Sequence, residues 1–283
     1  MSALSYVIDI IHSKQQQKLL SEEIFFRGQR EGHQLVPSLL RKHMKYKKSL
    51  ARTENNFYCD AMVMGAKELS NVQDSWQALA LFQHYEIPTR LLDWSSSLTS
   101  ALFFALLPCL KCPQEGNCEK LRKSCNGNPV IWVLDPHKMH QSLYPEDSIK
   151  DLLSITVGVD KLPDYREQFV LKDHTSNDWP YKAGPVFLEI PWTDSRIRSQ
   201  KGFFTFHADD TPLEDKIGEE QGLIRIQITK KYRRDIVTEF DALGINEHDI
   251  FTDLVSLANY FKRRYTTPYE NPKNPPKGEK PDV

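Results

Sequence analysis

The order of helical and β-type patterns along the chain sets the tightest limit on its fold. Apolar residues recur at helical spacing mainly in the first 110 of the 283 residues, whereas short β-type runs dominate from residue 130 to residue 228. This separation predicts an α+β fold, with a central mixed or antiparallel sheet flanked by helices. It does not favour the strict alternation of strand and helix that builds a parallel α/β protein.

Periodicity predicts four early helices, one late helix and six strands. The predicted helices cover residues 4–20, 51–70, 74–86 and 98–107, and a C-terminal segment marked by Phe251, Leu254, Ala258 and Phe261. The predicted strands are Ile24–Phe26, Thr89–Trp94, Val130–Leu134, Val186–Ile190, Gly202–Phe206 and Leu223–Ile228. We expect Arg27-Gly28 to turn the chain after the first strand. Pro108 is expected to end the fourth helix and Asn246 to cap the last one.

The composition is that of a folded domain with a sizeable core, since 40% of the residues are hydrophobic and 27% are charged. A net charge of -1 excludes a globally basic nucleic-acid binder but leaves room for local basic patches. The apolar runs are shorter than the roughly 18 residues that span a bilayer, and the N-terminus lacks the basic region of a signal peptide. We therefore expect a cytoplasmic protein with a single domain over residues 1–265 and a flexible Pro-rich tail at 266–283.

Four clustered cysteines define a predicted insert at residues 108–128. They are Cys109, Cys112, Cys118 and Cys125. A cytosolic chain rarely keeps cysteines as disulfides, and four thiolates suit a tetrahedral structural zinc ion. The alternative is a reduced, cysteine-rich loop that binds no metal.

The sequence lacks the motifs G-x-S-x-G, G-x-x-x-x-G-K-[ST], G-x-G-x-x-G and H-E-x-x-H. The first segment that suggests a chemical role is Phe26-Arg27-Gly28-Gln29. The Arg27 guanidinium offers a planar donor fork to a phosphate or carboxylate, and Gly28 lets the backbone approach a ligand. The alternative is a structural arginine that pairs with an acid near a turn.

The second segment runs from Gln83 to Ser97 and packs His, Tyr, Arg, Asp, Trp and three Ser between two apolar helices. Polar groups so close to a core need partners. In a structural interpretation, Arg90 pairs with Asp93, the serines cap a helix and His84 is a satisfied core histidine. The other interpretation is a ligand cleft at a strand–helix junction, where helix amides attract anions.

A third segment, Arg196-x3-Gln200-x-Gly202-Phe203, completes a pattern that resembles the FRG domain family, named after its Phe/Tyr-Arg-Gly motif. The matching positions are Phe26 to Gln29, His84, Pro88 to Trp94, Ala101 to Ala105, Arg196, Gln200, Gly202, Phe203, Gly244-Ile245, Phe251, Asp253 and Leu254. The resemblance covers roughly residues 20–261. It implies a component of a bacterial or phage-defence system.

The same pattern is more distantly similar to the Arg-Ser-Glu class of mono-ADP-ribosyltransferases. In that class an arginine ends the first strand, Ser-Thr-Ser ends the second strand, and a glutamate begins a third. Arg27 fits the first motif, and Ser95-Ser96-Ser97 fit the second, with Ser95 and Ser96 as the candidate catalytic serines.

The third motif departs from the class, because the matching position holds Gln200, an amide that can hydrogen-bond but carries no negative charge. Glu219 and Glu220, just before the last predicted strand, are candidates for the missing acid, with Glu220 taken as the candidate catalytic residue. Asp93 is the other candidate.

This similarity implies that NAD is the substrate. Breaking its nicotinamide–ribose bond leaves an oxocarbenium-like sugar, so the site must orient NAD, exclude water and stabilise positive charge. Arg27 would hold the phosphate side, and His84, Tyr85 or Trp94 would stack on nicotinamide. The residues implied in NAD binding are Arg27, Gly28, Gln29, His84, Tyr85, Arg90, Asp93 and Trp94.

The resemblance implies a toxin or anti-phage effector that modifies RNA, DNA or protein and is neutralised by an antitoxin protein. Six Lys/Arg from Arg41 to Arg52, and a second basic cluster at 230–234, are by default a solvated charged face. If they bind phosphates instead, they favour a nucleic-acid acceptor slightly over protein. The alternatives are a non-catalytic module that senses a nucleotide or phosphate, and a nuclease or hydrolase that uses His84 and Asp93.

Overall fold

The computed structural model describes residues 3–42, 45–46, 48–110, 128–145, 157–158, 162–171, 179, 181–182, 184–191 and 194–265. The predicted tail at 266–283 lies outside the described residues, as do Cys112, Cys118, Cys125 and the side chain of Cys109. The tail and the zinc site therefore stay predictions.

The described chain forms helices and strands in the following order. The helices are α1 (Ala3–Gln16), α2 (Leu50–Met64), α3 (Ser75–His84), α4 (Leu98–Leu110), α5 (Pro136–Leu143), α6 (Ser195–Ser199), α7 (Leu213–Lys216), α8 (Lys230–Ala242), α9 (Glu247–Phe251) and α10 (Leu254–Tyr265). The strands are β1 (Phe25–Gln29), β2 (Leu91–Ser95), β3 (Val130–Leu134), β4 (Val157–Gly158), β5 (Val186–Glu189), β6 (Gly202–Phe206) and β7 (Leu223–Gln227). Short 3₁₀ turns lie at Ser38–Leu40 and Glu219–Gln221, and a π-helical turn lies at Arg166–Leu171. None of the described helices is both long and apolar enough to cross a membrane.

One sheet joins these strands in the order β4-β5-β6-β2-β1-β3-β7. Six strands pair antiparallel, and β4 is added in parallel to β5 at one edge. Helices flank the sheet, so the α+β prediction is confirmed.

The centre of the sheet is its most loosely paired part. β1 pairs with β3 at five positions, and β2 pairs with β6 at five positions. Between β1 and β2, however, a single pair joins Phe26 to Ser95. The two central strands diverge beyond that pair, and the candidate site lies there.

Each face of the sheet carries its own core because side chains alternate along a strand. On one face, Phe26, Ile131 and Ile224 pack with α1, α4 and α8. On the other face, Phe25, Trp94 and Trp132 share a cluster with Phe187 and Phe203. The alternation predicted for the last strand is confirmed, since its apolar positions are buried while Arg225 and Gln227 are exposed.

The predicted turn at Arg27-Gly28 is wrong, because β1 continues through both residues to Gln29. Helix α4 crosses directly over β1, and a Cβ on residue 28 would lie 1.7 Å from the Ala101 carbonyl oxygen. Residue 28 must therefore be glycine because α4 packs against it, whereas the sequence predicted that glycine lets the backbone approach a ligand. Gly28 also lines both cavities described below.

Two predicted helix ends are also wrong. Helix α4 continues past Pro108 to Leu110, so the proline stands in its last turn and does not end it. The single C-terminal helix is in fact two helices. Asn246 caps α9, as its Oδ1 accepts from the His248 N–H at 2.9 Å, and Thr252, with φ of 55°, separates α9 from α10.

Candidate functional site

Arg27 sits on β1 where the central strands diverge. Its Nη1 donates to the backbone oxygen of Asp93 at 2.8 Å and lies 3.4 Å from the Asp93 carboxylate. The side chain is 16% exposed, and Nε is buried without a hydrogen-bond partner among the described residues. Burial lowers the pKa of the guanidinium and Asp93 opposes that effect, so Arg27 is a buried cation with an unused donor.

The Asp93 carboxylate is held from its other side by α3. Gln83 Nε2 donates to Asp93 Oδ2 at 2.8 Å, and the Gln83 carbonyl oxygen accepts from the Thr89 hydroxyl at 2.6 Å. This second bond fixes which end of the amide faces the acid. The Asp93 side chain stays 50% exposed, so one carboxylate is both positioned and accessible.

A cavity of about 340 Å³ opens beside these two residues. All three segments singled out in the sequence contribute to its wall. The polar and charged lining residues are Arg27, Ser38, Arg41, Gln83, His84, Glu86, Asp93, Ser95, Arg196 and Gln200. The fold thus brings together side chains that lie up to 173 residues apart, from Arg27 to Gln200.

His84 enters the cavity wall from the last turn of α3. Its Nδ1 lies 2.9 Å from Asp194 Oδ1, although the N–H direction is poorly aligned for a hydrogen bond. Asp194 also caps α6 by accepting from the Arg196 N–H at 2.8 Å. Burial lowers the pKa of His84 while Asp194 opposes the effect, which favours a neutral imidazole next to an acid.

The predicted catalytic serines separate. The Ser95 hydroxyl lines the cavity, donates to the Gln200 carbonyl at 2.5 Å and accepts from the Ser97 N–H at 2.9 Å. Ser96 is exposed and does not line the cavity, so the structure does not place it with Arg27 and Ser95, and its catalytic role stays a prediction. Ser97 precedes the first residue of α4, and its hydroxyl accepts from the Ser100 N–H at 3.3 Å.

Gln200 lines the cavity but lies at the end of α6 and not at the start of a strand. Its Nε2 donates to the Ile250 carbonyl at 3.2 Å, and the neighbouring Ser199 hydroxyl donates to the same oxygen at 2.8 Å. Arg196 stacks on the Phe251 ring at 4.7 Å. Helix α9 therefore supports this wall of the cavity from behind.

The structure places the predicted acid Glu220 away from the cavity. It lies in the 3₁₀ turn Glu219–Gln221 before β7, and neither it nor Glu219 lines either cavity. Glu219 pairs with Lys14 of α1 at 2.6 Å. Glu220 is therefore separated from Arg27, because the start of β7 is two strands away from β1, and its catalytic role stays a prediction.

Two predicted NAD-binding residues turn out to be core residues. The Trp94 indole is 2% exposed on the opposite face of the sheet from Asp93, and its Nε1 donates to the Thr205 hydroxyl at 3.0 Å. Arg90 is also 2% exposed and makes a two-bond pair with Glu54 instead of the predicted pair with Asp93. Arg90 lines neither cavity, whereas Trp94 is still among the residues that line the smaller one.

The remaining predicted contacts lie at the rim. Tyr85 is 56% exposed beside the His84 ring, at a centroid distance of 4.7 Å, but is not part of the cavity wall. Gln29 lines a second, larger cavity of about 1200 Å³, and its Oε1 accepts from the Trp132 indole at 3.0 Å.

The larger cavity adjoins the smaller one. Both are lined by Arg27, Gly28, Arg41 and Phe104. The larger one adds Arg30 and Lys42, against the acids Asp210 and Asp215. Together the cavities form a long recess whose middle is basic, because Arg27 and Arg41 stand where they meet.

Sequence reasoning missed Asp194, Gln83 and Arg41 as members of this site. The signal for Asp194 was its position before Ser195, the pattern of a helix N-cap. Arg41 was read only as part of a basic stretch, because nothing in its neighbours shows that its side chain returns towards β1. Among the described residues, no group of three or more His, Cys, Asp or Glu is placed to hold a metal ion.

Comparison with known proteins supports one assignment. The family model of the FRG domain matches residues 22–110. The match includes Arg27, His84, Asp93 and Ser95, whereas the wall formed by Arg196, Ile197 and Gln200 lies beyond it. No curated protein and no solved structure matches the chain.

Proposed function

We propose that the protein is an NAD-dependent mono-ADP-ribosyltransferase-like enzyme, acting as a toxin or anti-phage effector in the cytoplasm. The observation that carries the proposal is the pairing of Arg27 with Asp93 at the mouth of the smaller cavity. A buried arginine with an unused donor favours an anion, and an accessible carboxylate beside it favours a developing cation. Transfer of ADP-ribose from NAD requires both.

The adjoining cavities fit the size and charge of NAD. A ligand pocket usually measures roughly 300–1,000 Å³, and a dinucleotide needs more than the smaller cavity alone offers. The nicotinamide–ribose half would occupy the smaller cavity, where Asp93 and His84 lie. The phosphates would lie near Arg27 and Arg41, and the adenosine half would extend into the larger cavity.

In this proposal Asp93 takes the role that a glutamate has in the Arg-Ser-Glu class. Its carboxylate balances the positive charge of the ribosyl group, and Gln83 keeps it in place. Ser95 and Gln200 shape the wall, and Gly28 lets α4 pack closely behind Arg27.

The acceptor would be a macromolecule, with RNA slightly favoured over DNA or protein. Lys42, Lys45 and Lys48 are exposed next to the larger cavity's Arg41, and such a basic run suits a phosphate backbone. A neutralising antitoxin protein is the expected partner. A structural zinc ion at Cys109, Cys112, Cys118 and Cys125 remains part of the proposal.

The test is release of nicotinamide and transfer of label from labelled NAD to RNA, DNA or lysate protein. Arg27→Ala should reduce turnover about 100-fold or more, as loss of one charge-stabilising donor does in other enzymes. Arg166→Ala is the matched control, because Arg166 is exposed and lines neither cavity. Wild-type turnover by the Arg27→Ala variant would refute the assignment.

A binding module that senses a nucleotide or phosphate is the second candidate. The observation in its favour is that the Ser95 hydroxyl and the Gln200 amide already bond within the protein. Such a module would bind NAD or a nucleotide in a calorimeter without releasing nicotinamide. Cleavage of RNA or DNA in the absence of NAD would instead support a hydrolase that uses His84 and Asp93.

A further inference from the structure

His84 and Asp194 form a close histidine–acid contact in the wall of the smaller cavity, although the contact is not aligned as a hydrogen bond. Nδ1 lies 2.9 Å from Asp194 Oδ1, and the ring lines the smaller cavity. Nδ1 is buried next to Asp194, and the proposal therefore uses the other ring nitrogen, Nε2. In acid–histidine pairs of this kind the acid fixes the tautomer, so that the second nitrogen accepts a proton.

Both partners are fixed by independent contacts. Asp194 is the N-cap of α6 and accepts from the Arg196 and Ile197 N–H groups at 2.8 and 3.4 Å. Arg196 Nη1 in turn donates to the His84 carbonyl at 3.4 Å. These contacts fix the Asp194 carboxylate and tie the backbone of His84, at the end of α3, to α6.

We propose that His84 is the general base that takes the proton of the attacking hydroxyl, with Asp194 as its positioning residue. The inference rests on the proposed transfer from NAD and names the proton acceptor of that same site. It assigns a role to Asp194, which the FRG match does not reach.

The step balances without an oxidant or reductant. The acceptor oxygen forms a bond to C1′ of the ribose while the bond from C1′ to the nicotinamide nitrogen breaks. The electron pair of the broken bond leaves with nicotinamide, which departs neutral. The proton of the attacking hydroxyl passes to His84 Nε2, and the same route serves water when no other acceptor is present.

Several charged groups act on His84 in addition to its partner. Arg196 on α6 lowers its pKa, while Asp253 before α10 and Asp93 on β2 raise it, and burial lowers it more than any of them. Replacing Asp194 by Asn removes the largest of the raising contributions. The pKa of His84 should therefore fall in that variant, and the imidazole should stay neutral at lower pH.

The first experiment measures nicotinamide release from NAD as a function of pH in the full-length protein. His84→Gln should lower kcat roughly 100-fold with little change in KM, and should abolish the acidic limb of the profile. Asp194→Asn keeps the N-cap, since Asn caps as well as Asp, and should move the acidic limb to lower pH. His12→Gln, an exposed histidine of α1, is the matched control.

The second experiment titrates the His84 ring by NMR in the free protein. The titration midpoint should be lower in Asp194→Asn than in wild type, and its thermal unfolding should remain that of wild type. If Asp194 sets the pKa of the catalytic base, the midpoint of the acidic limb and the NMR midpoint should shift by the same amount in Asp194→Asn. If the contact is only structural, the NMR midpoint shifts and the acidic limb does not follow it.

The outcomes separate the two proposals. Absence of turnover in the wild type removes the proposed enzyme and this role with it. If the wild type turns over and Arg27→Ala does not, an unchanged acidic limb in His84→Gln overturns only the role of His84. An unshifted limb and NMR midpoint in Asp194→Asn overturn the role of Asp194.

Discussion

Two buried arginines stand 63 positions apart in this chain and have opposite surroundings. Arg90 uses all three guanidinium nitrogens: Nε and Nη2 bind Glu54 at 2.7 and 2.8 Å, and Nη1 donates to the Ala208 carbonyl at 2.7 Å. Arg27 has Nη1 on Asp93 and a buried Nε with no partner among the described residues. An arginine whose hydrogen-bond donors are all used within the protein stabilises the fold. An arginine beside a cavity with an unused donor is suited to bind a ligand.

The surroundings of Arg90 extend the contrast. Tyr165 also donates to Glu54, and the Phe169 ring lies 5.0 Å below the Arg90 guanidinium. Burial, followed by the charge of Glu54, raises the pKa of the Tyr165 hydroxyl well above its ordinary value. The Arg90 region is therefore a buried network, whereas the Arg27 region opens to solvent through the half-exposed Asp93.

Replacing Arg90 should have the largest effect on stability. Arg90→Met leaves the buried Glu54 carboxylate without its cation, and breaking a buried pair in this way costs about 3–5 kcal/mol. Chemical denaturation should show this loss in the free energy of unfolding. A loss below about 1 kcal/mol would contradict the structural role of the pair, because that is the value of an exposed pair.

The Arg90 region should also be the acid-sensitive part of the molecule. His207, whose N–H donates to the Arg90 carbonyl, is 2% exposed, and burial lowers its pKa to about 3. The unfolded chain, with a histidine pKa near 6.5, then binds more protons than the folded one between these values. Stability should fall as pH drops from about 6.5 to about 3, by at most about 1.4 kcal/mol per pH unit from this group.

His207→Gln tests this slope, because glutamine keeps a hydrogen-bonding group next to Thr205 and does not titrate. Denaturation at pH 5 and pH 7 should show a smaller difference for the variant than for wild type. Equal differences in the two proteins would mean that His207 does not set the acid sensitivity.

Replacing Arg27 should have the smallest effect on stability. Arg27→Met removes one backbone contact to Asp93 but also removes an unsatisfied buried donor, so the free energy of unfolding should change by about 1 kcal/mol or less. Paired with Arg90→Met in the same denaturation assay, this substitution measures the contrast directly. A loss as large as that of Arg90→Met would place Arg27 with the structural arginines.

The sequence predicted the strands well where strand-type runs have sharp ends. Val130–Leu134, between Pro129 and Pro136, and Gly202–Phe206 have the predicted bounds in the structure. Helix α8 was missed, because its basic residues were read as a charged cluster although Ile236 and Phe240 are fully buried. A helix can be predicted from local sequence only when its buried apolar residues are numerous enough to show the helical spacing among the polar ones.

The site was predicted in outline but not in its pairings. Arg27, His84, Asp93 and Gln200 line one cavity as their motifs implied. Which acid accompanies which base depends on three-dimensional neighbours that no spacing reveals. The partner of Arg90 comes from α2, 36 residues earlier, and the partner of His84 from the N-cap of α6, 110 residues later.

The single pair between Phe26 and Ser95 has a mechanical consequence. It divides the sheet into a half that contains β2 and a half that contains β1, and each of these two strands pairs at five positions with its other neighbour. A ligand that contacts Arg27 on β1 and Asp93 on β2 would link the two halves of the sheet. The stiffness of the whole sheet would then depend on whether the recess is filled.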